Sequence, residues 1–352
     1  MCIRDSPETD SAMTQTELLK MIGSGAVRDL DLTGRELKNI DFKGCRVENV
    51  TFDECTLTEC NFDGCGMERV SFRKAVLRNC RFRRAKIAWS DFRYCEIERA
   101  TFEEAEIRFC DLYRAMLTGI VIMRKARIGE TSLYYAYFGE GVNIRRENIA
   151  GGRLLQQDLD AYRQFLIEWN TSGTGVRRND RAEQSVWSPD AALHARWADA
   201  EEIYKNFNGL WTGIGFLRDA NWAYVKGRRM ERRRMLADWR GAPLSRKPQL
   251  AWKIATNTLM DIMFGYGESL FRMVTTYVVL VLFFAYVFQG NASLPSYLQA
   301  FWISLKNMAG VGSEQLSGIS PLVDMLNVVQ TTIGILLTGI FGFILGNKIR
   351  NQ

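Results

Sequence analysis

The sequence holds a single histidine, His194, among 352 residues, which excludes a histidine-rich metal site. It has no CxxC pair, no P-loop, and no nucleophile set beside a histidine and an acid. No catalytic residue, metal or cofactor is expected, and the chain is not expected to be an enzyme. No cleavable signal peptide is expected either. Residues 1–12 fit no later pattern, so Met13 reads as the start and the leader is given no role. Net charge is only +6, from 46 Lys and Arg against 40 Asp and Glu, too even to point to nucleic acid. The distribution is less even. Basic and hydrophobic residues gather after about residue 205, while the first 150 residues look water-soluble.

A period of five dominates that first part. Stepping by five from Leu32 through Phe42, Phe52, Phe62, Phe72, Phe82, Phe92 and Phe102 to Ile122, all nineteen positions are large and apolar. Between Phe42 and Ile107, Phe alternates with an aliphatic residue or Met. Two residues before each lies a second register of small or apolar groups, which holds Ala75, Ala85, Ala100, Ala105 and Ala115. Seven of the eight cysteines share it: Cys45, Cys55, Cys60, Cys65, Cys80, Cys95 and Cys110. One extra residue then shifts the frame, and the pattern resumes at Ile128, Leu133 and Phe138. Five matches neither the helix period of 3.6 nor the strand period of 2. It demands one sharp turn per unit and two inward positions.

This register resembles the pentapeptide-repeat family (A-D/N-L-x-x). The resemblance covers about residues 30–145 and implies a right-handed quadrilateral β-helix with four units per coil as a domain over 30–150, behind a leader and N-terminal cap over 1–29. About six coils at roughly 4.8 Å would give a rod of about 28 Å. In such a coil, residues twenty apart stack, so Cys45 lies under Cys65 and Cys60 under Cys80. Disulfides are within reach by distance, but free cysteine already behaves as a small buried hydrophobe, and reduced core thiols are expected. Some members of the family mimic DNA through an acidic surface. Here the outward charges cancel over residues 31–122, and that role is disfavoured. One run, Arg69 to Lys86, is basic. It reads first as a solvated face, and otherwise as a docking face for an anion or acidic partner with Arg73, Arg78 and Arg83 as its residues.

Residues 151–250 lose the period and read as a helical linker, with a flexible stretch at 171–180. Around Tyr204, Phe207, Ala220, Tyr224, Met230 and Arg232–Arg234 the segment resembles helices that join pentapeptide repeats to channel domains in some prokaryotic proteins. Arg228, Arg229, Arg232, Arg233 and Arg234 precede an apolar region, which suggests a basic collar near anionic headgroups.

From 251 to 352 the chain reads as a membrane domain: a pre-span helix over 252–267, a span over 270–288, a pore helix and filter over 295–314, and a second span over 324–346. Both spans are uncharged apart from their ends. Arg272, Lys348 and Arg350 flank them, whereas 289–323 holds one basic residue, Lys306. The positive-inside rule then puts both termini and the repeat domain in the cytoplasm of a cell whose plasma (inner) membrane is crossed twice.

PSYLQAFWISLKNM (295–308), AGVGSE, then a second span, with GYGESLFR (265–272) before the first, is similar to the two-transmembrane potassium-channel module. That family's T-V-G-Y-G-D filter falls on Met308, Ala309, Gly310, Val311, Gly312 and Ser313. The resemblance implies a homotetramer, four loops building one filter, and a permeant K⁺ or Na⁺ stripped of water by backbone carbonyls. The departures have consequences. Met308 lacks the threonine hydroxyl of the innermost ion site, Val311 lacks the bracing tyrosine hydroxyl, and Lys306 puts a positive charge in the pore helix. Glu314, at the outer mouth, would balance it. Gly334 and Gly339 are candidates for a hinge in the inner span, or for close packing. The expected function is passive conduction of potassium or weakly selected monovalent cations. The alternative is a membrane-anchored repeat scaffold with a non-conducting pore, favoured by Met308, Lys306 and Val311.

Overall fold

The computed structural model describes residues 3–4, 15–171, 189–292, 294, 296–312 and 320–350. It divides into two compact units, 1–237 and 238–352, where the sequence suggested breaks near 150 and 250.

The first unit begins with helix α1 (Gln15–Gly23), followed by a β-solenoid of about six turns. Short strands stack in parallel at a spacing of twenty residues: Thr56↔Val76, Val76↔Glu96 and Glu96↔Met116 on one side, Arg46↔Gly66, Gly66↔Lys86 and Lys86↔Glu106 on the opposite side. Isolated bridges such as Asn61↔Arg81 and Ser71↔Asp91 form the other two sides. The corner explains the period of five. Every fifth residue from Asp29 to Gly119 has a positive φ, and few of them are glycine. A left-handed non-glycine residue costs about 1 kcal/mol. Each corner is offset by burying a side chain worth roughly 1.5–3 kcal/mol, and by the ladder itself. Phe and aliphatic residues alternate along the chain, so opposite sides of the square carry the same type. Phe62 stacks on Phe42 at 4.7 Å and on Phe82 at 4.9 Å, and meets Phe52 and Phe72 edge-on from across the core.

The cysteines sit where the second register put them. All seven are buried and free. Six of the thiols donate to carbonyls of the preceding coil, for example Cys55 to Leu32 O and Cys65 to Phe42 O, each at 2.8 Å. Burial pushes the Cys55, Cys65 and Cys110 thiols up to about 12, so these are inert groups.

The frame shift needs a correction. Stepping by five puts Ile122 inward with the shift after it. Instead Ile122 is 36% exposed and Met123, at 1%, takes the inward place. The corner conformation moves from Gly119 to Lys125, and Ile97 still pairs with Leu117 while Thr101 pairs with Ile122. The extra residue therefore lies at Gly119–Ile120, where Ile120 is pushed outward. The next coil passes so close that a Cβ on Gly141 would lie 2.3 Å from the Gly119 carbonyl oxygen. The leader also holds a surprise: Ile3–Arg4 pairs antiparallel with Glu36–Leu37.

Much of the segment expected to be a linker belongs to this unit. Helix α2 (Leu159–Thr171) buries Tyr162, Phe165 and Leu166 near Trp89, and Glu168 reaches Arg69 at 3.0 Å. Helices α3 (Pro189–Gly213) and α4 (Leu217–Gly241) close the last coil. Phe207 stacks between Phe138 and Trp211. Trp211 Nε1 donates to Ile144 O at 2.8 Å, and Asn148 Nδ2 donates to the Met123 and Ala126 carbonyls. Asp219 holds Arg145 at 2.5 Å. Without this cap the end of the core would meet water.

The second unit runs α5 (Lys247–Phe264), a 3-10 turn Gly265–Gly267, α6 (Leu270–Ala292), the short α7 (Tyr297–Met308) and α8 (Pro321–Arg350). Leu270–Ala292 and Pro321–Gly346 are long and apolar enough to cross a membrane. Arg272 ties the start of α6 to α5 through the Asp261 carboxylate at 2.8 Å.

Candidate functional site

The residues read as a pore loop lie at the end of α7, which packs against both α6 and α8. Ser296 caps its start by accepting from the Gln299 amide. Its buried side carries polar groups that the sequence reading passed over. Ser304 Oγ donates to Val281 O on α6 at 2.8 Å. Gln330 Nε2 on α8 donates to Ser304 O and Oγ, at 3.1 and 2.6 Å. Asn307 Nδ2 donates to Asn327 Oδ1 at 2.6 Å and Gln330 Oε1 at 3.1 Å. Ser304, Asn307 and Gln330 are fully buried. A signal was available: Asn327 and Gln330 are three apart inside a largely apolar span, where a polar side chain needs a partner.

Met308 is buried, and Gly310 and Gly312 both have a positive φ, 81° and 72°. Between them Val311 is 76% exposed. The Ala309, Gly310 and Val311 amides bond back to Leu305 O, Asn307 O and Lys306 O, so this stretch begins as a tight turn off the helix. Ser313 and Glu314 lie outside the described residues, as does Pro295. Lys306 is exposed, in the last turn of α7. The two glycines of the second span differ. A Cβ on Gly334 would lie 2.3 Å from Met308 O, whereas one on Gly339 meets nothing within 4 Å. The helix is continuous through both.

The structure does not bring Arg73, Arg78 and Arg83 together. Five residues make one side of the square, so the three fall on successive sides. The basic run also finds its counter-charges one coil away: Lys74 with Glu54, Arg78 with Glu98, Arg83 with Glu103 and Arg84 with Glu104. Such exposed pairs contribute little stability but leave little net positive field. The docking face therefore does not exist as a convergent cationic patch.

Acidic groups are buried where α2 and α3 cover the solenoid. Asp91 grips Arg93 through both oxygens, with Asp111 beside them at 3.9 Å from Arg93 Nε. Burial pushes Asp111 up to about 6. On α3, burial pushes Asp199 up to about 7, partly opposed by its hydrogen bond with Tyr134. A carboxyl raised in the folded state binds its proton more tightly there than when unfolded. Its contribution is therefore favourable at low pH and is lost as pH rises from about 4 to about 7. The melting temperature of this unit is expected to rise on acidification from pH 8 to 6, and Asp199→Asn should flatten that slope; calorimetry across the range checks it. Among the described residues, no three His, Cys, Asp or Glu side chains gather as a metal site.

The fold and its stacked Phe ladder define a pentapeptide β-solenoid. Residues 27–138 match the family described as pentapeptide repeat region, so the chain carries a domain of that family. Solved structures with similarity include a pentapeptide repeat protein from the Arabidopsis thaliana thylakoid lumen, 18% identical over 34% of this chain and 73% of its own, TM-score 0.22. HetL, a pentapeptide repeat protein involved in heterocyst differentiation regulation in Nostoc, is 17% identical over 35% of this chain and 63% of its own, TM-score 0.16. A third, from Cyanothece 51142, is 11% identical over 38% and 95%, TM-score 0.14. No curated protein matches the chain.

Proposed function

We propose that the second unit is one quarter of a cation-conducting pore, assembled as a homotetramer in a prokaryotic plasma membrane and carried with a cytoplasmic solenoid that controls assembly or gating. The observation that carries this reading is the order of elements: an apolar helix, a short helix hydrogen-bonded to both long ones, two glycines at positive φ, and a second apolar helix. Successive residues of unusual dihedral are what a chain needs to aim neighbouring carbonyls into one tube. The permeant ion would be K⁺ or a weakly selected monovalent cation, and lipid is the immediate partner. Gly334 and Gly339 would then lie on the span facing the pore.

Flux of K⁺, Na⁺ and Ca²⁺ from purified protein in liposomes tests the reading. Ala at Gly310 or Gly312 is expected to abolish flux while leaving membrane insertion intact. Each would force a side chain to a φ near +75°, and at Gly310 it would also meet Ile335 Cγ1 at 3.1 Å. The second reading, an anchored scaffold without conduction, is favoured by the tight turn that begins the filter segment and by the buried Met308. Inserted wild-type protein that passes no ion would support it and remove the pore.

A further inference from the structure

A convergent cationic cluster does exist in the first unit, away from the solenoid's basic run. Arg196 on α3 and Arg233 on α4 both stand over the Trp197 ring, at 4.3 and 4.8 Å from its centre. Arg163 on α2 is close enough to Arg196 for its charge to act on it. Burial first, then the Arg233 and Arg163 charges, pull the Arg196 guanidinium below its ordinary range. About two turns earlier on α4, Lys226 lies over Trp222 at 5.6 Å. Burial, then Arg229, Arg153 and Arg233, lower it in the same way.

Like charges held this close are unfavourable unless something negative joins them. Among the described residues, the nearby carboxylates are engaged elsewhere. Glu168 is taken by Arg69, Glu201 by Arg234 and Lys205, Asp219 by Arg145 and Arg146, and Glu231 by Arg228. Asp199, two residues from Trp197, bonds Tyr134 instead, and no arginine acts on it. Among the described residues, Arg153, Arg163, Arg196, Lys226 and Arg233 have no carboxylate within ion-pair distance. Arg196 Nη1 is buried with no hydrogen-bond partner. A buried guanidinium N–H left unmatched is a costly arrangement that a ligand oxygen would relieve.

We infer that Arg163, Arg196 and Arg233, with Arg153 and Lys226 at the margin, form a binding site for a multiply charged phosphate group between α2, α3 and α4. Planar guanidinium forks match phosphate oxygens, and three or more cations converging from three helices suit a group with at least two negative charges. The helices that hold these residues also cap the solenoid, so a bound anion would tighten the cap against the coil. The inference is independent of conduction and stands or falls without it.

The test uses the full chain in neutral detergent at physiological ionic strength, with calorimetric titration of tripolyphosphate and, separately, of dihexanoyl phosphatidate. Wild type is expected to bind at least one of them. R196Q with R233Q should weaken that binding by about tenfold or more, a loss of about 1.4 kcal/mol. The same variant, free of ligand, should melt no lower than wild type, because a repulsion has been removed. If it fails to fold, R163Q on the exposed face of α2 replaces it, with the same expected direction. R78Q with R83Q should bind as wild type does. Tripolyphosphate binding without phosphatidate binding identifies a soluble ligand, and the reverse identifies a lipid headgroup. Binding of neither, or equal binding by wild type and the cluster variants, overturns the site.

Discussion

Gly334→Ala is expected to destabilise the second unit by about 3 kcal/mol, at the upper end for overpacking. The added methyl would lie 2.3 Å from Met308 O, 2.6 Å from Met308 Cα and 2.7 Å from the Met308 carbonyl carbon. All three are backbone atoms at the end of α7, so no side-chain rotation relieves the clash. Either α7 backs away from α8, breaking the Gln330 bonds to Ser304, or the helices do not pack. Gly339→Ala provides the contrast. With nothing within 4 Å, it adds only helix propensity and is expected to stabilise by up to about 1 kcal/mol. Thermal melting in detergent reads both. A Gly334→Ala protein that melts like wild type would show that the close approach is wrong. Within one chain, the close approach belongs to Gly334 and not to Gly339.

The second large effect belongs to the solenoid. Phe72→Ala is expected to cost about 3–5 kcal/mol, the range for truncating a buried Phe. Phe72 is fully buried, stacks on Phe52 and Phe92 at 5.0 Å each, and meets Phe62 and Phe82 edge-on. A coil clamped above and below by identical coils has little freedom to collapse into the vacated space, which keeps the cavity open and the loss large. Denaturant midpoints followed by circular dichroism check it. Arg84→Gln, which removes an exposed pair with Glu104, should leave the midpoint where it is. A Phe72→Ala midpoint equally unmoved would contradict the stacked core.

What the sequence made legible follows from how local each feature is. The five-residue register revealed itself because every unit repeats the same inward pair, and Cys45 to Cys110 declared their burial by position alone. The charge pattern was not legible in the same way. Arg78 and Glu98 are far apart in the chain and adjacent only once the coil length is known, so a run that looks basic along the sequence is neutral in space. Ile122 misled because an outward residue happened to be apolar. The cap helices were read as a linker because Phe207 and Trp211 have helical spacing that does not reveal what they cover. At the pore-loop segment, the Gly310–Val311–Gly312 spacing was visible. Asn307 and Gln330 escaped notice because uncharged polar residues leave a hydropathy run intact.

The square coil sets a rule for how this gene can change in length. Because twenty residues complete a circuit, an insertion of twenty lengthens the rod by one storey and leaves every later side facing as before. An insertion of five would preserve the inward register yet rotate everything beyond it by a quarter turn, carrying Asn148, Trp211 and the arginines around Trp197 to a different side of the rod. The single residue added at Gly119–Ile120 does neither; it bulges outward, and the coil above accommodates it only because position 141 has no side chain. Growth by whole storeys is therefore the one kind of length variation that leaves the cap and its cationic cluster pointing the way they now do.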